Sequence, residues 1–222
     1  HGSGGGISST TGTLVLAHGS KVTRNEASAD GGGLHNIEST SVSFRGETTH
    51  IADNCAGSAG GGVSHSGTGT LNIKYGVVIS DNRARDGGGV AIVLPTIPLL
   101  GIRVQHGVVC RNNSAISRGA GFFLSSSMAQ GEYSHVTLKG NDAKSGRDFF
   151  WERSRSLTIP FRCNQCESSN RYGSATEAIA ISLKSVILQQ FHSGFVAPSM
   201  QVFLLNQYLE VDETSIGASC RI

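Results

Sequence analysis

The sequence predicts an all-β fold, a parallel β-solenoid (β-helix) of five to six coils. One residue pattern recurs along the first three quarters of the chain, and alternating apolar pairs precede its copies. Glycine supplies 30 of the 222 residues and proline only 4, which suits many short strands joined by tight turns. A single repeat of this length cannot bury its own apolar side, whereas stacked repeats can.

The repeated pattern has an apolar residue three places before an asparagine and a small residue two places after it. A glycine-rich block and a further apolar residue follow. We interpret the asparagines as a ladder at a bend, where each side-chain amide bonds to the coils before and after it. A looser sixth copy is Phe161-Arg-Cys-Asn164. The five clear copies place their asparagines 28 to 31 residues apart, at Asn25, Asn54, Asn82, Asn113 and Asn141.

Alternating apolar pairs such as Leu71 and Ile73 predict strands with one buried face. Each repeat should hold about three short strands, stacked on the next repeat at a spacing of roughly 4.8 Å. Two prolines within 93–100 predict a loop that protrudes from the fourth coil. We expect a right-handed solenoid, because crossovers between parallel strands nearly always have that hand.

The repeats end at Cys166, so the prediction divides the chain into a parallel β-helix over 1–167 and a tail over 168–222. The tail contains strand-like stretches, and an open solenoid end needs a cap. We therefore interpret the tail as a β cap or as the start of an immunoglobulin-like module. Since the first residues fall inside a repeat, we expect a segment of a longer protein.

The two linked motifs resemble the repeats of polymorphic outer-membrane (Pmp-like) proteins, which carry Phe-x-x-Asn and Gly-Gly-Ala-(Ile/Leu/Val). More widely they are similar to right-handed parallel β-helices of the pectin-lyase-like superfamily. The resemblance covers about residues 1–166. It departs from the family because only Phe161 supplies the phenylalanine and glycine replaces the alanine. It implies an extracellular or cell-surface protein, structural or adhesive, and no enzyme.

Charge and hydropathy narrow the expected partners. The net charge is +2 and the basic residues are scattered, so we expect no nucleic-acid partner. No apolar run reaches membrane length, so we expect no membrane span in this segment. We expect other domains or copies of a surface or filament protein as partners, with glycans as a further candidate. Asn112, in the pattern Asn112-Asn113-Ser114, is a candidate glycosylation site.

The alternative function is a carbohydrate-active β-helix enzyme, a polysaccharide lyase or hydrolase, or a glycan-binding relative. Asp53 and Asp81 are its catalytic candidates, because they precede successive ladder asparagines and should lie roughly 5 Å apart. Paired carboxylates shift each other's pKa, as acid–base sites require. The favoured interpretation is two solvated bend residues. His18 and His106 each precede a glycine at the same coil position, three coils apart, and we expect no metal or cofactor.

Five cysteines set the disulfide alternatives. Cys163 and Cys166 form a Cys-x-x-Cys without the second pair that a zinc ribbon needs. A disulfide between these two, or from one of them to Cys220, fits an extracellular chain. Cys55 and Cys110 should lie two coils apart, too far to bond to each other, and Cys110 is expected to be a buried free thiol.

Overall fold

The structure, a computed structural model, describes residues 2–38, 41–93, 99–125, 129–151, 161–164, 167–168 and 172–174. These residues form β-strands, turns and bends and contain no helix, hence none with the length and apolar character that a membrane crossing needs. The chain divides into two compact units, His1–Gly173 and Ser174–Ile222. The solenoid lies in the first unit. Of the predicted cap or immunoglobulin-like module over 168–222, only residues 168 and 172–174 are described, so this prediction stays untested.

The strands, numbered in chain order, stack in parallel as three sheets. The first sheet contains β1 (Ile7–Ser9), β5 (Leu34–Asn36), β9 (Val63–His65), β13 (Val90–Ile92), β16 (Phe122–Leu124), β18 (Phe149–Trp151) and β21 (Tyr172–Ser174). The third contains β4 (Glu26–Ala27), β8 (Cys55–Ala56), β12 (Arg83–Asp86) and β15 (Ser114–Arg118).

The second sheet is the largest, because each turn of the chain crosses it twice with a bend in between. Its members are β2 (Thr13–Ala17), β3 (Lys21–Thr23), β6 (Ser41–Arg45), β7 (His50–Ala52), β10 (Leu71–Lys74), β11 (Val78–Ser80), β14 (Leu99–Arg111), β17 (Ala129–Lys139), β19 (Phe161–Asn164) and β20 (Glu167–Ser168). Each turn therefore has four strand segments where about three were predicted.

The predicted parallel β-solenoid is confirmed. In the described part of the chain, four turns have strands in all three sheets, fewer than the five to six coils predicted. In the next turn, single bridges replace the strand of the third sheet, joining Ser114 to Asp142 and Arg118 to Ser145. Strands continue in the first and second sheets as far as β21. The hand of the solenoid stays a prediction.

Two local predictions need correction. The sixth motif copy is wrong, because Phe161 pairs with Gly131 and Asn164 with Ser134, in the first crossing of the second sheet. A true copy would lie opposite Leu138 in the second crossing, and Ser168 takes that place. In the predicted 93–100 loop, residues 99–100 instead open strand β14, because they pair with the start of β17. Residues 94–98 lie outside the described part.

The interior is built from columns of like residues. Leu34, Val63, Val90 and Phe122 of the first sheet occupy one column and are fully or almost fully buried. Burying each such side chain stabilises the fold by about 1.5–3 kcal/mol. The column becomes aromatic in later turns. Tyr133 packs edge-on against Phe122 and Phe149, with ring centroids 5.9 and 5.4 Å apart.

Candidate functional site

The predicted asparagine ladder is present at the bend between the second and third sheets. The Nδ2 of Asn54 donates to Oδ1 of Asn82 at 2.9 Å, and the backbone N–H of Asn54 donates to the same oxygen at 3.0 Å. A second Nδ2 hydrogen bond, to the carbonyl of Val22, returns to the preceding coil. The same arrangement recurs from Asn82 to Asn113 and from Asn113 to Asn141. The amides satisfy backbone groups that no strand partner reaches.

The last glycine of each block is fixed by the ladder beside it. A Cβ built on Gly62 would lie 2.6 Å from the carbonyl oxygen of Gly89 and 3.1 Å from the side-chain amide of Asn82. Gly33 and Gly89 meet equivalent obstacles. None of the three has a positive φ. The glycine is therefore required by the space that the asparagines occupy and not by backbone conformation.

Asp148 ends the described ladder. It takes the place of the last glycine in its block, and its Oδ1 accepts a hydrogen bond from Asn141 Nδ2 at 2.8 Å. This carboxylate oxygen replaces the oxygen of a further asparagine. Cys110 lies beside it, fully buried, and accepts from Asn113 Nδ2 at 3.2 Å. Burial, reinforced by the charge of Asp148, raises the pKa of the Cys110 thiol far above its usual value.

Asp53 and Asp81 lie on the outside of the same bend, on adjacent coils. Their preceding residues, Ala52 and Ser80, are paired in register. Both aspartates are exposed and have left-handed backbones, with φ of 56° and 58°. Aspartate and asparagine adopt this conformation more readily than most residues, which gives a structural reason for their presence. Among the described residues, no three His, Cys, Asp or Glu side chains are close enough together to hold a metal ion.

A serine–histidine–aspartate trio lies at the start of the first sheet, and sequence reasoning did not find it. His35 Nε2 is 3.3 Å from Ser66 Oγ, and Asp30 acts on the imidazole through its charge. The Ser66 hydroxyl, however, donates to the carbonyl of Asn36 at 3.0 Å, so His35 Nε2 must donate to Ser66. Asp30 Oδ1 is engaged by the backbone N–H of Ala59. A nucleophilic serine needs the opposite proton arrangement, with Nε2 as acceptor.

The pKa of His35 agrees with this structural role. Burial lowers the pKa of His35 below its usual value, and the charge of Asp30 opposes this only in part. The imidazole is therefore neutral near pH 7, with Nδ1 buried and without a hydrogen-bond partner. Nothing in the geometry orients it as a general base.

A second cluster lies on the same face of the first sheet as His35, in later turns of the solenoid. It consists of Ala59, Ala91, Phe123 and Phe150, all buried, with Val93 at its edge. The guanidinium of Arg118 lies 4.8 Å from the Phe123 ring centroid. Arg118 also forms a two-pronged ion pair with Asp86, at 3.0 and 3.2 Å. Because these side chains are buried, the cluster stabilises the fold and offers no open binding surface.

A further exposed feature recurs at the bend between the two crossings of the second sheet. One residue per coil occupies it, which we call the corner column: His18, Gly46, Tyr75, His106 and His135. Register pairs the preceding residues, so the five positions follow one another along the solenoid. All five have a positive φ, and the four side chains are exposed. Tyr75 stacks on His106, with ring centroids 5.1 Å apart and planes 7° from parallel.

The remaining predicted sites have separate outcomes. Cys55 and Cys110 are not bonded to each other and Cys110 is a buried free thiol, both as predicted, and Cys55 is also free. The side chains of Cys163, Cys166 and Cys220 lie outside the described residues, so the disulfide alternatives stay predictions. Asn112 is exposed at the outer bend with a φ of 53°, and its glycosylation also stays a prediction.

The sequence predicted that His18 and His106 share a coil position, but it did not predict that Gly46, Tyr75 and His135 occupy the same position in the other coils. The signal was a bulky or imidazole residue just before a glycine, at His18, Tyr75 and His106. Comparison of the chain with protein families, with curated proteins and with solved structures gave no match.

Proposed function

We propose that this chain is an extracellular structural and adhesive β-solenoid module of a larger cell-surface or filament protein. One observation carries the proposal: the repeated residues are all engaged in the scaffold. The ladder asparagines bond to one another, and the glycines beside them leave the space that the ladder fills. The resemblance to polymorphic outer-membrane repeats supports an extracellular or cell-surface location.

The outer faces support adhesion better than catalysis. Exposed charges along the second sheet are scattered, and the ion pair between Arg103 and Glu132 spans 3.5 Å with both side chains about half exposed or more. Such pairs contribute little to stability. Asp53 and Asp81 lie on an exposed bend, and within the described part of the chain no His, Cys, Asp or Glu side chain joins them to make a group of three. A polysaccharide lyase or hydrolase needs an acid–base pair held in a groove.

Two assays test the proposal. Beads coated with the purified chain should bind to cells or extracellular matrix, whereas beads coated with denatured chain should not. Incubation with polygalacturonate should release neither reducing ends nor unsaturated products. If the original chain cleaved polygalacturonate and Asp53→Ala did not, the adhesive function would be wrong and the enzymatic alternative right. Absence of bead binding on every surface tested would leave only the structural part of the proposal.

A further inference from the structure

We propose that the corner column contains a glycan-binding slot, in which a pyranose ring inserts between His18 and Tyr75 above Gly46. This inference rests on the proposed adhesive function and names its ligand class. The slot exists because Gly46 interrupts a column of ring-bearing residues. His18 belongs to the first coil and Tyr75 to the third, and at the matching position of the second coil Gly46 contributes no ring.

The spacing of the solenoid sets the width of the slot. Residues two coils apart are separated by two strand spacings, roughly 9–10 Å. A ring held between two other rings needs contacts of about 3.5–4.0 Å on each side, roughly 7–8 Å in all. The gap over Gly46 therefore accepts one ring. A Cβ built on Gly46 would meet its nearest atom, the backbone N of His18, at 3.5 Å, so no group overlaps the position above Gly46.

Tyr75 is arranged as one wall of this slot. One face of its ring is covered by His106, which fixes the ring plane. The register places its other face toward the gap over Gly46. Tyr75 is 54% exposed. An aromatic face attracts the C–H groups on the flat side of a sugar ring, because the face carries negative charge density.

Backbone conformation gives a second, independent argument. Tyr75 has a φ of 60°, in the left-handed region that bulky residues rarely occupy. Glycine or asparagine would fit this bend without strain, as Gly46 does in the neighbouring coil. Strained residues of this kind concentrate at binding sites. The tyrosine therefore costs stability at a position where it buries little surface.

Polar groups beside the slot favour a sugar over an apolar ligand. A Cβ on Gly76 would lie 2.5 Å from Glu47 Cγ, and a Cβ on Gly19 would lie 3.7 Å from Thr48 Oγ1. Glu47 and Thr48 therefore run along the side of the slot, next to the residues that follow Tyr75 and His18. A carboxylate and a hydroxyl can bond to ring hydroxyls. Among the described residues, the other large exposed apolar side chains are Val15 and Ile116, too few for a peptide-binding patch.

The decisive variant is Tyr75→Asn. Asparagine accepts the left-handed conformation, so the variant should fold with nearly the stability of the original chain while losing the stacking face. Tyr75→Phe retains the face, and Ile116→Ala removes an exposed apolar side chain elsewhere. Gly46→Asn fills the slot directly.

The probe is an array of immobilised pyranose oligosaccharides, followed by calorimetric titration of the tightest binder with the full chain. We expect Tyr75→Asn and Gly46→Asn to weaken binding about tenfold or more, and Tyr75→Phe and Ile116→Ala to change it less than about twofold. Binding to no oligosaccharide at millimolar concentration would overturn the slot. Equal binding by Tyr75→Asn, or binding of aromatic peptides alone, would also overturn it.

The bead assay separates this proposal from the adhesive function. If beads carrying Tyr75→Asn bind to cells as well as the original chain does, adhesion stands and the slot is wrong. If the original beads do not adhere but the oligosaccharide binds with the expected dependence on Tyr75, the slot stands and the adhesive function fails.

Discussion

The two bends that flank the second crossing of the second sheet each contain a residue with a left-handed backbone, but only the outer bend places a repeated buried residue after it. At the outer bend, the left-handed residue precedes a ladder asparagine in every clear repeat, as Asp53 precedes Asn54. At the corner column no buried ladder follows, and the residue changes from histidine to glycine to tyrosine. The difference teaches that repetition marks the scaffold, because stacked interior groups depend on identical neighbours. The side chains of the corner column have no buried neighbours of this kind, so they can vary without disturbing the scaffold.

The largest change in stability is expected for Asn82→Ala, at the outer bend. The change removes two Nδ2 hydrogen bonds, to Ile51 and Asn113, and deprives the N–H groups of Asn54 of their acceptor. Buried groups left without partners cost about 1–3 kcal/mol each, so we expect a loss of about 4 kcal/mol in the free energy of unfolding. Urea denaturation measures it. Asn72→Ala, on the half-buried outer side of β10, is the control and should cost less than about 1 kcal/mol. If Asn82→Ala and Asn72→Ala lost the same free energy of unfolding, the ladder asparagines would be no more important to stability than Asn72.

Gly62→Ala tests the glycine half of the scaffold. The added methyl would overlap the carbonyl of Gly89 and crowd Asn82, and neither can move without disturbing the next coil. Overpacking of this kind costs about 3 kcal/mol. Thermal and urea unfolding should both show the loss. Gly2→Ala is matched to it, because a Cβ there meets nothing within 4 Å and φ is not positive. If Gly62→Ala were as stable as the original chain, the ladder could move to accommodate a methyl group at this position.

The interior also predicts a dependence of stability on pH. His65 is fully buried, with Nδ1 2.6 Å from Asn36 Nδ2 and Nε2 3.1 Å from the carbonyl of Gly69. Burial lowers the pKa of His65 from 6.5 to about 4. Between these values the unfolded chain binds a proton that the folded chain does not, so stability falls as pH falls through this window. We expect a loss of about 2 kcal/mol between pH 7 and pH 5.

The control for this prediction is His65→Gln, which removes the titration and keeps polar atoms in place. The pKa of His35 is also lowered by burial, so part of the pH dependence should persist in the variant. The difference between the two chains isolates His65. Parallel stability curves from pH 7 to pH 5 would contradict the prediction.

The fold was predictable from the sequence because its main constraints are local and repeated. The spacing of Val22, Asn25 and Ala27 recurs in each clear repeat, followed by a glycine block. The repeats stack because only stacking buries their apolar side chains. Asn164 shows where this reasoning fails. Its motif looks right, but β19 lies in the first crossing of the sheet, and only the register shows that. The contact of Tyr75 with His106 joins different residue types on adjacent coils, so a search for repeated residues misses it. Only the glycine that follows each ring, Gly76 or Gly107, marks the shared position.

The smallest expected effect belongs to Tyr75→Asn, and it sharpens the comparison most. An exposed tyrosine held at a φ of 60° loses conformational strain when replaced by asparagine and gives up only its stacking contact with His106. These terms oppose each other, and each is of the order of 1 kcal/mol, so the free energy of unfolding should change by less than about 1 kcal/mol. Urea denaturation of Tyr75→Asn and Asn82→Ala under the same conditions compares the contributions of the two bends to the free energy of unfolding. If the tyrosine variant lost as much stability as the ladder variant, the corner column would belong to the scaffold. A neutral result means that Tyr75 contributes little to folding, and that its effect must be sought in what the exposed ring binds.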